Sequence, residues 1–181
     1  MKMSAFYLAN EFEQLAINLF YGWGYNFYRV ENQLRTDDLL VRSKVSELLA
    51  DARTDVVDAG IKYRHEHLPP PTRENPFPNA DAVRTAKAID EVAATLTAVA
   101  AQIRSAPAPE NDRMWQRHRN EAHTLSQLGE VDKEMVVIAA ALRSKTQNSG
   151  SAWIIENLSE IHSATDALQA VLRKRADLLR I

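Results

Sequence analysis

Residues 79–105 read NADAVRTAKAIDEVAATLTAVAAQIRS. Val83, Ala86, Ile89, Ala93, Leu96, Ala100 and Ile103 recur at alternating three- and four-residue steps, the rhythm of one apolar stripe on an α-helix. Asn79 or Asp81 supplies a residue suited to start it. From Val92 to Ala101 there is no charged residue. A helix apolar around much of its girth is expected at the centre of a helical assembly, and its many alanines should let neighbouring backbones approach closely.

The same spacing extends to both sides of this stretch. Residues 37–66 place Val41, Val45, Leu48, Ala52, Val56 and Ala59 on one face. That helix must end before Pro69, because the residue ahead of a proline avoids helical angles. Residues 112–146 carry Trp115, His118, Ala122, Leu125 and Leu128, then Met135, Val136, Ile138, Ala139 and Leu142, with Gly129 a candidate bend. Residues 151–180 carry Ile154, Leu158, Ile161, Leu168, Leu172 and Leu179. Arg173, Lys174, Arg175 and Arg180 sit in the last turns, where cations suit the helix dipole.

The breaks between these segments are equally plain. LPPPTRENPFPN (68–79) holds five of the seven prolines, SAPAPEND (105–112) the other two, and TQNSGS (146–151) forms a third break. No segment shows the alternation of a strand. The expected fold is therefore all-α, one domain over 1–181. It is an antiparallel up-and-down bundle of about four long helices (37–66, 80–105, 112–146 and 151–180). Residues 1–36 form an additional aromatic-rich N-terminal helix or extension, which Gly22 and Gly24 either kink or break.

Composition excludes several chemistries. The 181 residues are 45% hydrophobic and 25% charged, with a net charge of −2, so no overall field favours nucleic acid. The chain has no cysteine, which removes disulfides, thiolate metal sites and cysteine nucleophiles. With 5 glycines and neither common nucleotide-loop pattern, it holds no Gly-rich phosphate loop. The longest apolar run, Met135 to Leu142, falls well short of the ~20 residues of a membrane span. The opening residues lack the apolar run of a signal peptide, so a cytoplasmic protein is expected.

Three groups of residues stand out as candidates. Nine of the thirteen aromatics precede residue 30, and Phe20, Tyr21, Trp23, Tyr25, Phe27 and Tyr28 lie within nine positions. One helix cannot turn all six toward one core, so another element or another molecule must cover some of them. Trp23, Tyr25, Tyr28 and Trp115 are the candidate ligand- or partner-binding residues. Second, charged or titratable residues interrupt the apolar stripes: Glu31, Asp38, Asp132 and His118. An unpaired buried charge is costly, so each should be ion-paired, exposed or functional. Arg29, Arg35 and Arg42 are partners available on the same segment as Asp38. The functional alternative gathers Glu31, Asp38 and His118 around a shared metal. Third, Arg113, Arg117 and Arg119 flank Trp115, but Asp112 and Glu121 beside them favour a solvated face over a nucleic-acid contact.

No catalytic motif emerges. The expectation is a non-catalytic helical bundle that acts through protein–protein contacts, as a homo-oligomer or with a protein partner. The alternative is a bundle that binds a metal or small organic ligand, as enzyme or sensor, near the aromatic cluster.

Overall fold

The computed structural model describes residues 30–73, 76–107 and 121–179, with side chains from residue 37 in the first helix and from 123 in the third. These residues form α1 (Val30–His67), α2 (Ala80–Ser105), α3 (Glu121–Glu156) and α4 (Leu158–Leu179), with no strand among them. The aromatic segment of residues 1–29, together with Trp115 and His118, lies outside the described residues.

The ends of the helices follow from local chemistry. α1 stops at His67, two residues before Pro69. Asn79 caps α2: its side-chain oxygen accepts from the Asp81 and Ala82 backbone N–H groups at 2.8 and 3.2 Å. Ala106 turns out of α2 just before Pro107. Gly129 lies within α3 without breaking it. The break in α3 is Gly150, at φ 74° and ψ 178°, backbone that a side chain would strain. The chain reverses there, and Lys145 before the break pairs with Glu160 after it.

Polar contacts fix the directions of the helices. Ser46 in the first half of α1 donates to the Ala100 carbonyl near the end of α2, and Arg64 near the end of α1 pairs with Asp90 in the first half of α2. These two helices are antiparallel. Asp38 of α1 and Asp132 of α3 share Arg175, and further along both helices Asp55 pairs with Arg143, so α1 and α3 run the same way up. Lys174 of α4 pairs with Glu134 of α3, which together with the Lys145–Glu160 pair makes α3 and α4 antiparallel.

Direction therefore alternates along the chain, but the order in space differs from the order in sequence. α1 packs on α2 and α3, and α4 packs on α2 and α3. The consecutive helices α2 and α3 stand on a diagonal, and the parallel pair α1/α3 shares the largest interface.

One core fills the centre, from Val41, Val45, Leu49, Ala52 and Val56 of α1 through Ile89, Leu96 and Ile103 of α2 to Met135, Ala139, Ile154, Ile161 and Leu168. α2 is not the central helix its composition suggests. Val92 and Val99 are buried where Val83 and Ala100 were expected, and Ala94, Thr97, Ala98 and Ala101 are exposed.

At Gly60 of α1, an added Cβ would stand 3.0 Å from Ile89 Cγ2 of α2. Gly60→Val should destabilise the bundle by about 1–3 kcal/mol through overpacking, despite valine's better helix propensity. Urea denaturation followed by circular dichroism measures it. An unchanged midpoint would show that Ile89 gives way freely.

Candidate functional site

The most unusual feature of the described residues is a cluster of four charged side chains inside the bundle, at the end where α1 and α3 begin and α2 and α4 finish. Asp38, Arg42, Asp132 and Arg175 are all buried, the last two at 1% exposure. Three helices supply them, and the fourth supplies backbone.

Asp38 and Arg42 are four apart on α1. The guanidinium donates from Nε and Nη2 to Asp38 Oδ2 at 3.1 and 2.8 Å. Arg175 of α4 donates from Nη1 to Asp132 Oδ1 at 2.7 Å and from Nη2 to Asp38 Oδ1. One guanidinium thus bridges two carboxylates, one on α1 and one on α3. Two cations face two anions, which lowers the cost of burying them.

Both arginines also reach the end of α2. Arg42 Nη1 donates to the carbonyls of Arg104 at 3.1 Å and Ala106 at 2.6 Å. Arg175 Nη2 donates to the Pro107 carbonyl at 3.1 Å. The Arg104 carbonyl is among the last of α2, which lack intrahelical donors and carry its negative pole, so the Arg42 guanidinium suits it twice over, while Ala106 and Pro107 lie just past the helix.

The balance is incomplete at two atoms. Asp132 Oδ2 and Arg175 Nε are buried without a hydrogen-bond partner. Burial raises the Asp132 carboxyl from 3.8 to about 7; Arg175 pulls it down, and Asp38 beside it pushes it further up. Asp37, next along α1, is also raised by partial burial.

Of the residues singled out in the sequence, Asp38 lies in this cluster, and Asp132 joins it from α3. Arg42 is the same-helix partner expected for Asp38. Arg175, expected as a last-turn cation suited to the helix dipole, is instead buried at 1% exposure and paired inside the bundle. It is the largest fully buried side chain described. The signal was present, since Arg175 follows Leu168 by seven and Ile161 by fourteen, in the register of the buried face.

Both Asp38 oxygens accept from guanidinium groups, so Asp38 could bind a cation only by giving up Arg42 or Arg175. Glu31 lies in α1 with its side chain outside the described residues, as does the whole of His118. Among the described residues, no three acidic or histidine side chains stand together as a metal site would require.

No helix described is long and apolar enough to cross a membrane. No family model matches the chain, and no curated protein or solved structure matches it.

Proposed function

We propose that this chain is a non-catalytic assembly protein, whose bundle associates with a second copy of itself through the outer face of α2. The observation that supports this is the chemistry of that face. Ala94, Thr97, Ala98 and Ala101 are exposed, lie three and four apart on one side, and fall in a stretch without charge. The Thr97 hydroxyl donates back to the Ala93 carbonyl at 3.0 Å, which leaves mainly its methyl group facing out. A solvent-facing helix surface ordinarily carries charge, whereas small residues let a second helix come close.

Leu39 and Leu40 add apolar surface at the same end of the bundle, at 58% and 49% exposure. They follow closely on the aromatic segment. Trp23, Tyr25, Tyr28 and Trp115 remain candidate partner-binding residues in this reading by residue type alone, since aromatics are enriched at interfaces.

The test is Ala98→Arg, read by native mass spectrometry of the untagged full chain. Around a twofold axis this change brings two cations to one interface, where like charges repel. The wild type should be an oligomer and the variant a monomer. Within one bundle the site is exposed, so stability measured at high dilution should change by no more than about 0.5 kcal/mol. A wild type that is monomeric at micromolar concentration overturns the proposal.

A further inference from the structure

The buried cluster invites a question of its own, independent of self-association: what happens to Asp132 when it is ionised. Its Oδ1 accepts from Arg175, but its Oδ2 is buried with no donor. An anionic oxygen without a hydrogen bond is among the costliest groups to bury. A neutral carboxyl in the same place carries no such charge.

The surroundings offer no other charge to offset it among the described residues. From α1 come Asp38, a second anion, and Arg42, whose Nε and Nη2 are spent on Asp38 and whose Nη1 is spent on α2 carbonyls. From α4 comes Arg175, shared between the two aspartates. The end of α2 and its exit contribute backbone carbonyls, which are acceptors like Asp132 itself. On α3, Leu128, Met135 and Val136 line the same side and are buried apolar residues. The nearest charges on that helix are paired at the surface, Lys133 with Glu130 and Glu134 with Lys174.

We propose that the Asp38–Arg42–Asp132–Arg175 cluster is a proton-responsive clasp: Asp132, with one oxygen buried and undonated, is favoured there as the neutral acid, and the clasp holds the ends of α2 and α4 more firmly in mild acid than at alkaline pH. On protonation, Arg175 Nη1 still donates to Asp132 Oδ1, and the shared guanidinium then has Asp38 as its one full anion. The strength of the Arg175–Asp38 and Arg175–Pro107 contacts, which tie α4 to α1 and to the exit of α2, becomes coupled to pH.

The sign follows from linkage. Asp132 titrates at about 7 in the folded chain, against 3.8 as its ordinary value. Between these limits the folded chain holds a proton that the unfolded chain lacks, so acidification favours folding. Below the lower limit both states are protonated, and above the upper limit neither is. Stability due to this group is therefore lost as pH rises toward about 7 and is flat beyond it. That is opposite to an ordinary salt-bridged aspartate, whose ion pair fails in acid.

The test is urea denaturation of the full chain at one protein concentration from pH 4.5 to 8.5, wild type against Asp132→Asn. Taking the difference cancels the histidines. The folding constant of the wild type relative to the variant should rise as pH falls below 7, by up to about tenfold per pH unit. Parallel profiles overturn the proposal. Should Asp132→Asn not fold, the carboxyl carbons of ¹³C-aspartate in an Asp37→Asn chain give a separate reading. One aspartate should titrate near 7, and titration of every aspartate below about 5 overturns the clasp.

Discussion

Arg175→Met, measured at pH 8, is expected to lower the free energy of unfolding by about 3–5 kcal/mol, the cost of stripping one partner from a buried ion cluster. Methionine fills much of the volume and keeps the helix propensity of α4. What disappears is the bridge: Asp132 loses its one donor, Asp38 keeps Arg42 alone, and the Pro107 carbonyl is left without the guanidinium. Against a typical total of 5–15 kcal/mol, a loss of this size leaves the chain close to unfolding at physiological temperature. Urea denaturation followed by far-ultraviolet circular dichroism reads it directly. The double variant Arg175→Met with Asp132→Leu should recover most of the loss. It removes both members of the α3–α4 pair together and leaves the balanced Asp38–Arg42 pair in place. If the double variant is as unstable as the sum of its parts, the cluster does not act as one electrostatic unit.

This cluster also shows what the sequence made legible and what it concealed. Charged residues at buried positions of an apolar stripe are visible without a structure, which is why Asp38 and Asp132 stand out. Arg42 is visible as a partner because it is one helical turn from Asp38. Arg175 is different. It pairs with a residue 137 positions away, and its place beside Arg173 and Lys174 makes it read as one more cation suited to the helix dipole. Its seven-residue spacing from Leu168 carries the information, but a periodicity gives a face and not a partner. The partner depends on which helices touch.

The all-helical character of the described residues was legible, because the three-four spacing runs through each segment between the breaks. The arrangement in space was not. A sequence of long helices joined by links suggests that neighbours in the chain are neighbours in space, yet α2 and α3 stand diagonally and α1 meets α3 in parallel. The charge-free run of α2 also has two readings. Absence of charge is compatible with burial on all sides or with an outer face kept for another molecule. Periodicity cannot separate these; the exposure of Ala94, Ala98 and Ala101 excludes burial on all sides. Of the proposed metal residues, Asp38 is occupied by arginines, and nothing described bears on Glu31's side chain or on His118.

The same alanine richness leads to the second large effect, which lies in the core. Ala82, Ala86 and Ala93 make up much of the buried surface of α2, and each adds little more than a methyl group. The bulk comes from Ile89, Leu96 and Ile103, seven apart and each fully buried. Leu96→Ala therefore removes the middle of three large side chains that hold α2 on the bundle. The cost of such a truncation depends on how far the site can collapse around the void, from about 2 kcal/mol where it closes to about 5 where it does not. Here the neighbours on α2 are themselves short: Ala93 is an alanine, and Val92 and Val99 are β-branched residues with restricted rotamers. None can swing into the space. Leu96→Ala is expected at the upper end of that range, with a lowered urea midpoint and an unchanged m-value. Amide exchange should accelerate along α2 once the chain opens more often. A loss under about 1 kcal/mol would mean that α2 is bound weakly, and its removal from the core would then compete with its use as an outer face. By contrast, Ala98→Arg two positions away should leave the isolated bundle intact, since that side chain points out of the core. The two variants together separate what α2 does inside the bundle from what it presents outside.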